Sequence, residues 1–319
     1  MEKRCLICGI ALTENELHYH AKCMKKLFHS AKVPTFNYTQ DDLNELAKSL
    51  IMKRISVPGV QPKLSLHLEK GDAAGNSRLT LVGLEGDYIL KPQTPQWKFL
   101  PEAEHFCMLF ARLCKIATAE FGLIPLQSGE LAYITRRMDR NENGALHMED
   151  FCQLTNKLTS QKYNGSMEQI GKALRIYSST PGLDAVRFLE LSLFCYLTGN
   201  SDMHLKNFSL LRLADGRYEF TPAYDLVPVK ILLPADNEEL ALTMCGKKSN
   251  LKYADFASFA DNLGLTVTQF EKTLKNLQNN SEKTLSEALK RSFMPLEMQQ
   301  NFKNLFLERL GKLSSAKMR

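Results

Sequence analysis

The sequence has no long hydrophobic run. Its longest apolar stretch, near Leu189 to Leu197, contains Ser192. That is well short of the roughly 20 apolar residues a membrane-spanning helix needs. No apolar segment follows the opening Met-Glu-Lys-Arg-Cys-Leu-Ile-Cys-Gly, so no secretory signal is visible. These absences lead us to expect a cytoplasmic protein with no membrane association. Cysteine is sparse, 8 in 319 residues, which excludes a dense disulfide framework. Five of the eight (Cys107, Cys114, Cys152, Cys195 and Cys245) lie in apolar sequence, where cysteine acts as a small buried hydrophobe. Charge of one sign is scarce too. The 41 Lys and Arg against 35 Asp and Glu leave +6, which is weak evidence for direct nucleic-acid binding. Internal repeats and low-complexity segments are absent. What remains is an ordinary globular composition, 44% hydrophobic and 24% charged, enough for a sizeable core.

The first unusual stretch is at the N-terminus. Cys5-x2-Cys8 is followed by His18, His20 and Cys23. Cys5, Cys8, His20 and Cys23 supply four ligands at a spacing that suits one tetrahedral zinc, with Gly9 allowing the turn after the first pair. The other reading is a small hairpin of reduced cysteines without metal. With zinc bound the expected role is structural rather than catalytic, because four protein ligands leave no open position. Residues 1–35 form this knuckle, 36–140 a β-rich lobe and 141–319 a helical lobe.

Thr39 and Asp42 read as the capping signal of a helix over Asp41–Met52. Strand-like runs follow at Ile55–Leu66, Arg78–Val82 and Asp87–Pro92, with Pro58-Gly59 as a turn and Lys63 just beyond it. Lys91 closes a strand; such a lysine is either solvated or turned into a cleft toward phosphates. Pro101–Leu113 is a helix, and Glu102 or Glu104 could pair with Lys91 or simply favour the helix dipole. Further strands are expected at Ala119–Pro125 and Leu131–Met138. In the helical lobe, 148–154 reads as a helix start, and helices follow over 166–178 and 182–199. Asp215-Gly216 marks a hairpin between Phe208–Leu211 and Tyr218–Phe220.

The chain turns on Gly199-Asn200-Ser201-Asp202-Met203-His204-Leu205-Lys206-Asn207-Phe208-Ser209. Phosphoryl transfer needs a base for the attacking hydroxyl, oxygen ligands for Mg²⁺ and cations for the phosphates. Asp202 can accept the proton, and Asn207 and Asp225 can ligate Mg²⁺ through oxygen. His204 and Lys206 can offset phosphate charge. Asp202 and Asn207 are separated by four residues, as in the protein-kinase catalytic loop. The competing reading is a capped helix end followed by a hairpin.

This loop, with Thr221-Pro222-Ala223-Tyr224-Asp225, resembles the HipA family of bacterial serine/threonine kinases, the toxins of toxin–antitoxin modules. Ser56-Val57-Pro58-Gly59-Val60-Gln61-Pro62-Lys63 resembles its phosphate loop, Ile89-Leu90-Lys91 its ATP-lysine strand, and Glu149-Asp150-Phe151-Cys152-Gln153 a segment of its second lobe. The resemblance implies an α+β, bilobal protein-kinase-like fold with a small antiparallel β-rich N-lobe and a mainly helical C-lobe. It also implies roles: Asp202 as base, Asn207 and Asp225 as Mg²⁺ ligands, and Lys91 on the ATP phosphates. The same segments imply that Val57 to Lys63 cover the nucleotide, that Arg136, Arg137 and Met138 form the adenine hinge, and that Tyr224 lies beside the metal ligand. Ser56 matches the autophosphorylated serine whose modification switches the kinase off. Expected partners are a helix-turn-helix antitoxin that carries the complex to DNA, and a protein substrate such as an aminoacyl-tRNA synthetase. Only some fifty residues precede the loop, so the chain looks like the short, HipT-like form, whose missing subdomain could be a separate small protein. Arg136 stands where an acidic hinge residue is expected, which would send adenine contacts through the backbone. Two rival functions stay open: a small-molecule kinase, and a catalytically silent ATP-binding scaffold in a DNA-bound complex.

Overall fold

The structure is a computed structural model that describes residues 3–30, 32–52, 61–69, 77–82, 86–142 and 144–314. The chain divides into two compact units. The first comprises 1–106, 119–138 and 290–294, and the second 107–118, 139–289 and 295–319.

In the first unit, a bridge between Arg4 and Ala11 closes the N-terminal turn, and α1 (Ala21–Phe28) follows. Helix α2 (Gln40–Met52) starts where Thr39 and Asp42 cap each other, with Thr39 N–H donating to Asp42 at 2.8 Å and Asp42 N–H to Thr39 Oγ1 at 3.2 Å. A five-stranded sheet forms from β1 (Leu64–Glu69), β2 (Arg78–Val82), β3 (Tyr88–Lys91), β4 (Phe121–Pro125) and β5 (Leu131–Arg136). Their order is β2-β1-β3-β5-β4, and every neighbouring pair is antiparallel. Alternation explains the faces: Leu64 and Leu66 of β1 are buried, while His67 between Leu66 and Leu68 is exposed. Helix α3 (Leu100–Leu113) lies between β3 and β4 in sequence; its start belongs to this unit and its last turns to the other. Phe28 and Tyr88 meet at 5.8 Å, and Tyr88 donates to the carbonyl of Leu27, so α1 is tied to the sheet.

The second unit is built around α6 (Pro181–Thr198). Proline at its start costs no hydrogen bond, and apolar residues on most faces make it a buried axis. Phe188 lies within 6 Å of the rings of Phe208, Phe220 and Phe259. The smaller elements are β6 (Arg140–Asn141), β7 (Gly144–Ala145), β8 (Met148–Asp150), α4 (Phe151–Leu154), α5 (Met167–Tyr177), β9 (Ser209–Arg212), β10 (Tyr218–Phe220) and α7 (Val229–Leu232). They are followed by α8 (Tyr253–Asn262), α9 (Val267–Arg291) and α10 (Leu296–Ser314). Buried Arg309 of α10 donates to the carbonyl of Tyr196 and stacks on its ring at 5.0 Å, which satisfies a charge that burial would otherwise penalise.

One expectation needs correction. Met148–Asp150 is a strand, not a helix start: it pairs with β9, Asp150 opposite Ser209. Asp150 then caps the short α4 in a reciprocal box with Gln153. Among the described residues, no helix is long and apolar enough to cross a membrane.

Candidate active site

The loop after α6 begins with a forced turn. Gly199 caps the helix at φ +72°, and a Cβ there would lie 2.7 Å from Leu305 and 3.0 Å from Lys230. Both the left-handed backbone and the crowding require glycine. Asn200 is fully buried and accepts the Asp202 N–H at 3.2 Å. Ser201 donates to Asp236. After these pinned residues Asp202 faces solvent. Its carboxylate accepts a 2.6 Å hydrogen bond from the Tyr163 hydroxyl, and burial raises the pKa of Tyr163, so the phenol stays a donor.

Asn207 closes the loop. Its Nδ2 donates to the Asp202 carbonyl at 3.0 Å. A carbonyl oxygen only accepts, so the amide nitrogen faces inward and the amide oxygen is left as the metal-ligand end. Beyond the β9–β10 hairpin, the N–H of Ala223 bonds the carbonyl of Ala117, and Asp225 adopts φ +59°. That conformation is uncommon outside glycine, although Asp is among the residues that tolerate it. Tyr224 is tied to both Ser209 Oγ and the Lys206 carbonyl, at 2.6 and 2.9 Å. Asn207 and Asp225 offer an amide and a carboxylate, the hard oxygen donors that suit Mg²⁺.

Two loop residues do something other than the spacing suggested. Lys206 reaches back to Asp150 at 2.6 Å, so its charge is largely met within the protein. His204 is buried, its ring edge-on to Tyr163 at 5.1 Å, and it braces the tyrosine that holds Asp202. Sequence reasoning missed the roles of Asp150, Tyr163 and Asp184. Asp150 was findable, because Asp150 and Gln153 form a capping box in plain sight. No local signal marks Tyr163. Buried Asp184 accepts from Ser178, from Arg187 and from the N–H of Phe220, and so joins the start of α6 to β10.

In the first unit Lys91 ends β3 with only 3% of its side chain exposed. Its Nζ lies 2.6 Å from Glu104 and 5.4 Å from the Tyr133 ring centroid. Glu104, fully buried, is therefore the partner, and Glu102 is not. Glu102 lines a separate cavity of about 530 Å³ with Gln40, Asn44 and Lys98, and burial raises its pKa to about 7. Gln61 bonds the Pro92 carbonyl at 3.4 Å, and Pro62 and Lys63 lead into β1. Ser56, Val57, Pro58, Gly59 and Val60 lie outside the described residues. At the expected hinge, the Arg136 and Arg137 amides bond the carbonyls of Glu120 and Asp87. The Arg136 guanidinium meets His29. These two amides are thus committed to the protein's own backbone, and the chain passes from one unit to the other after Met138.

The four candidate zinc ligands also converge. The ligand atoms of Cys5, Cys8, His20 and Cys23 all lie within 4.8 Å of one another, whereas His18 is not part of the group.

The model of the HipA-like C-terminal domain matches residues 55–285, well over half of the chain. The chain belongs to this family. Among curated relatives, Y4dM of Sinorhizobium fredii, a protein named as a kinase by inference, is 34% identical over 186 residues. The match covers 54% of this chain and 45% of that protein. The serine/threonine-protein kinase toxin HipA of Shewanella oneidensis is 26% identical over 257 residues, 74% of this chain and 58% of that one. The chain therefore spans about half the length of these relatives. In three dimensions it resembles HipA of the Shewanella oneidensis MR-1 HipA, HipB and operator DNA complex, with a TM-score of 0.67 at 23% identity, covering 83% of this chain and 70% of that one. The fold is accordingly the α+β kinase-like fold, with an antiparallel sheet in one unit and helices dominating the other.

Proposed function

We propose that the chain is an ATP-dependent protein serine/threonine kinase that acts as the toxin of a HipBA- or HipBST-like module. The observation that carries this reading is Asp202. A solvent-facing carboxylate stands just beyond the buried C-terminal turns of α6, oriented by Tyr163, with the Asn207 amide donating to the Asp202 carbonyl. A merely capped helix end has no use for such an arrangement. Asp202 accepts the proton of the attacking hydroxyl, as a general base does in this chemistry. Asn207 and Asp225 would hold Mg²⁺ through oxygen, and the cation would offset charge on the phosphates. Lys91, kept in one orientation by Glu104, would bind the ATP phosphates, and by family resemblance the segment 57–63 would serve as the phosphate loop.

The names of the relatives support kinase activity, and the Shewanella protein's structure with HipB and operator DNA supports a helix-turn-helix antitoxin partner, with DNA contacted through it. By family resemblance the substrate is a cytoplasmic translation protein, an aminoacyl-tRNA synthetase being the leading class. The separate small protein of HipBST-like modules is a further partner. Ser56 is the autophosphorylation site that turns the enzyme off.

The test is incubation of the full chain with γ-labelled ATP, Mg²⁺ and host lysate. We expect label on a protein, and none with Asp202→Ala. Label confined to small molecules would replace this reading with a metabolite kinase, and ATP binding without transfer would replace it with a scaffold. Mass spectrometry of chain purified from cells should find phosphate on Ser56.

A further inference from the structure

Cys5, Cys8, His20 and Cys23 play no part in the chemistry above, yet their placement is specific. Other cysteines of this protein, such as Cys107 and Cys195, are buried in the core with no histidine or carboxylate gathered around them among the described residues. At the N-terminus three sulfurs and a ring nitrogen point at one spot instead. Cys8 Sγ and Cys23 Sγ lie 3.3 and 3.9 Å from His20 Nδ1. In tetrahedral zinc, with Zn–S about 2.3 Å and Zn–N about 2.0 Å, a sulfur and a nitrogen stand about 3.5 Å apart. The observed values straddle that distance.

The surroundings select the form of the histidine ligand. His20 Nε2 is 3.0 Å from the carbonyl of Ala11. That oxygen can only accept, so the proton is on Nε2 and the Nδ1 lone pair faces the sulfurs. The His20 backbone N–H points at Cys5 Sγ at 3.5 Å. The Gly9 N–H bonds the carbonyl of Cys5 at 2.8 Å and turns the chain between the two cysteines. Gly9 sits at φ +70°, and a Cβ there would lie 2.3 Å from the carbonyl oxygen of Arg291, so this turn too admits only glycine.

We propose that these four residues bind one zinc ion in a closed, structural site that locks the N-terminal hairpin onto the frame of the first unit. Three thiolates and a neutral imidazole complete the coordination and leave no position for substrate. The hairpin is too short to hold itself by core burial, which is the situation structural zinc serves. Its docking contacts are direct. The Leu6 carbonyl accepts from the Leu123 N–H at 2.8 Å, Tyr19 donates to the Leu123 carbonyl at 2.9 Å, and the Ile7 carbonyl meets His105 Nε2 at 3.0 Å. Leu123 is in β4, and His105 adjoins Glu104 on α3. Metal in the knuckle thus steadies the strand and helix that frame the Lys91–Glu104 pair.

The test is elemental analysis of untagged, reduced full-length chain, followed by Co²⁺ titration of the metal-free protein. We expect about one zinc per chain, a tetrahedral thiolate–Co²⁺ absorption spectrum, and at least about a tenfold loss of bound metal in Cys23→Ser. Hydrogen exchange of the peptide containing Leu123 should speed up at least about tenfold when a chelator removes the metal. Iron in place of zinc, a Cys5–Cys8 disulfide in freshly purified protein, or wild-type chain that takes up neither Zn²⁺ nor Co²⁺ would overturn the proposal. The Co²⁺ arm uses unaltered protein, so a variant that fails to fold does not decide the outcome. None of these readouts depends on kinase activity.

Discussion

Lys91 and Lys206 each place Nζ 2.6 Å from a carboxylate oxygen, yet the two pairs do different work. Lys91 and Glu104 are 3% and 0% exposed; Lys206 and Asp150 are 33% and 14%. Burial, not distance, separates them. A dry pair tolerates no missing partner, because the remaining charge is stranded in low dielectric. A half-wet pair loses little, because water replaces the partner. The first fixes a lysine in one place, and the second tethers a loop to the strand beside it.

Mutation can break or sharpen this contrast. The largest effect is expected from Glu104→Ala, which should cost about 3–5 kcal/mol of unfolding free energy in the first unit. Urea denaturation followed by hydrogen exchange in β3 would measure it, and a cost near that of an exposed pair would erase the distinction. Next comes Glu102, the acid on the same helix that has no lysine partner among the described residues. Burial raises its carboxyl from an ordinary 4.5 to about 7, so the native state favours the protonated form. Its contribution to stability is full below about pH 4.5 and is lost as pH rises through about 7. At about 1.4 kcal/mol per unit the loss is roughly 3 kcal/mol. Glu102→Gln should remove that slope between about pH 4.5 and pH 7 in denaturant titrations. Asp150→Ala should cost about 1–2 kcal/mol, because it removes a helix cap as well as the exposed pair. Asp150→Asn keeps the cap and should cost less than about 1 kcal/mol; an equal loss in both would mean that the ion pair dominates. Tyr163→Phe should change stability least, by about 0.5–1 kcal/mol. It should still slow phosphoryl transfer in the labelled-ATP assay by several-fold, since Asp202 loses its orienting donor.

The parts of this contrast that were legible in the sequence are those that local geometry decides. The separation of Asp202 from Asn207, the strand-end position of Lys91 and the knuckle spacing all operate within a few residues. The hairpin and the Thr39 cap were readable for the same reason. The partners were not. Lys206 finds Asp150 56 positions away, and Tyr163 finds Asp202 39 positions away, through packing that no period encodes. Glu102 and Glu104 look alike as first-turn acids. Only the docked orientation of α3 sends one to Lys91 and the other to a different cavity. Strand β8 escaped notice because three residues carry too little alternation to separate a strand from a helix start. Whether loop charges serve a ligand or the protein itself is likewise a tertiary matter, as His204 and Lys206 show.

The hydrogen bond from Arg4 to the carbonyl of Lys290 spans 286 positions. Gly9 packs against the next residue, Arg291, in the same unit. A ribosome adds about 5–20 residues per second, so these N-terminal residues wait roughly 15–60 s for their partners to be made. During that interval the first unit cannot reach its final form, whatever the knuckle has already bound. If the chain is the kinase proposed above, its phosphate-holding lysine sits in a unit that is finished only after residues 290–294 have been made. The order of synthesis would then delay the enzyme's first turnover until the segment around Lys290 and Arg291 has left the ribosome.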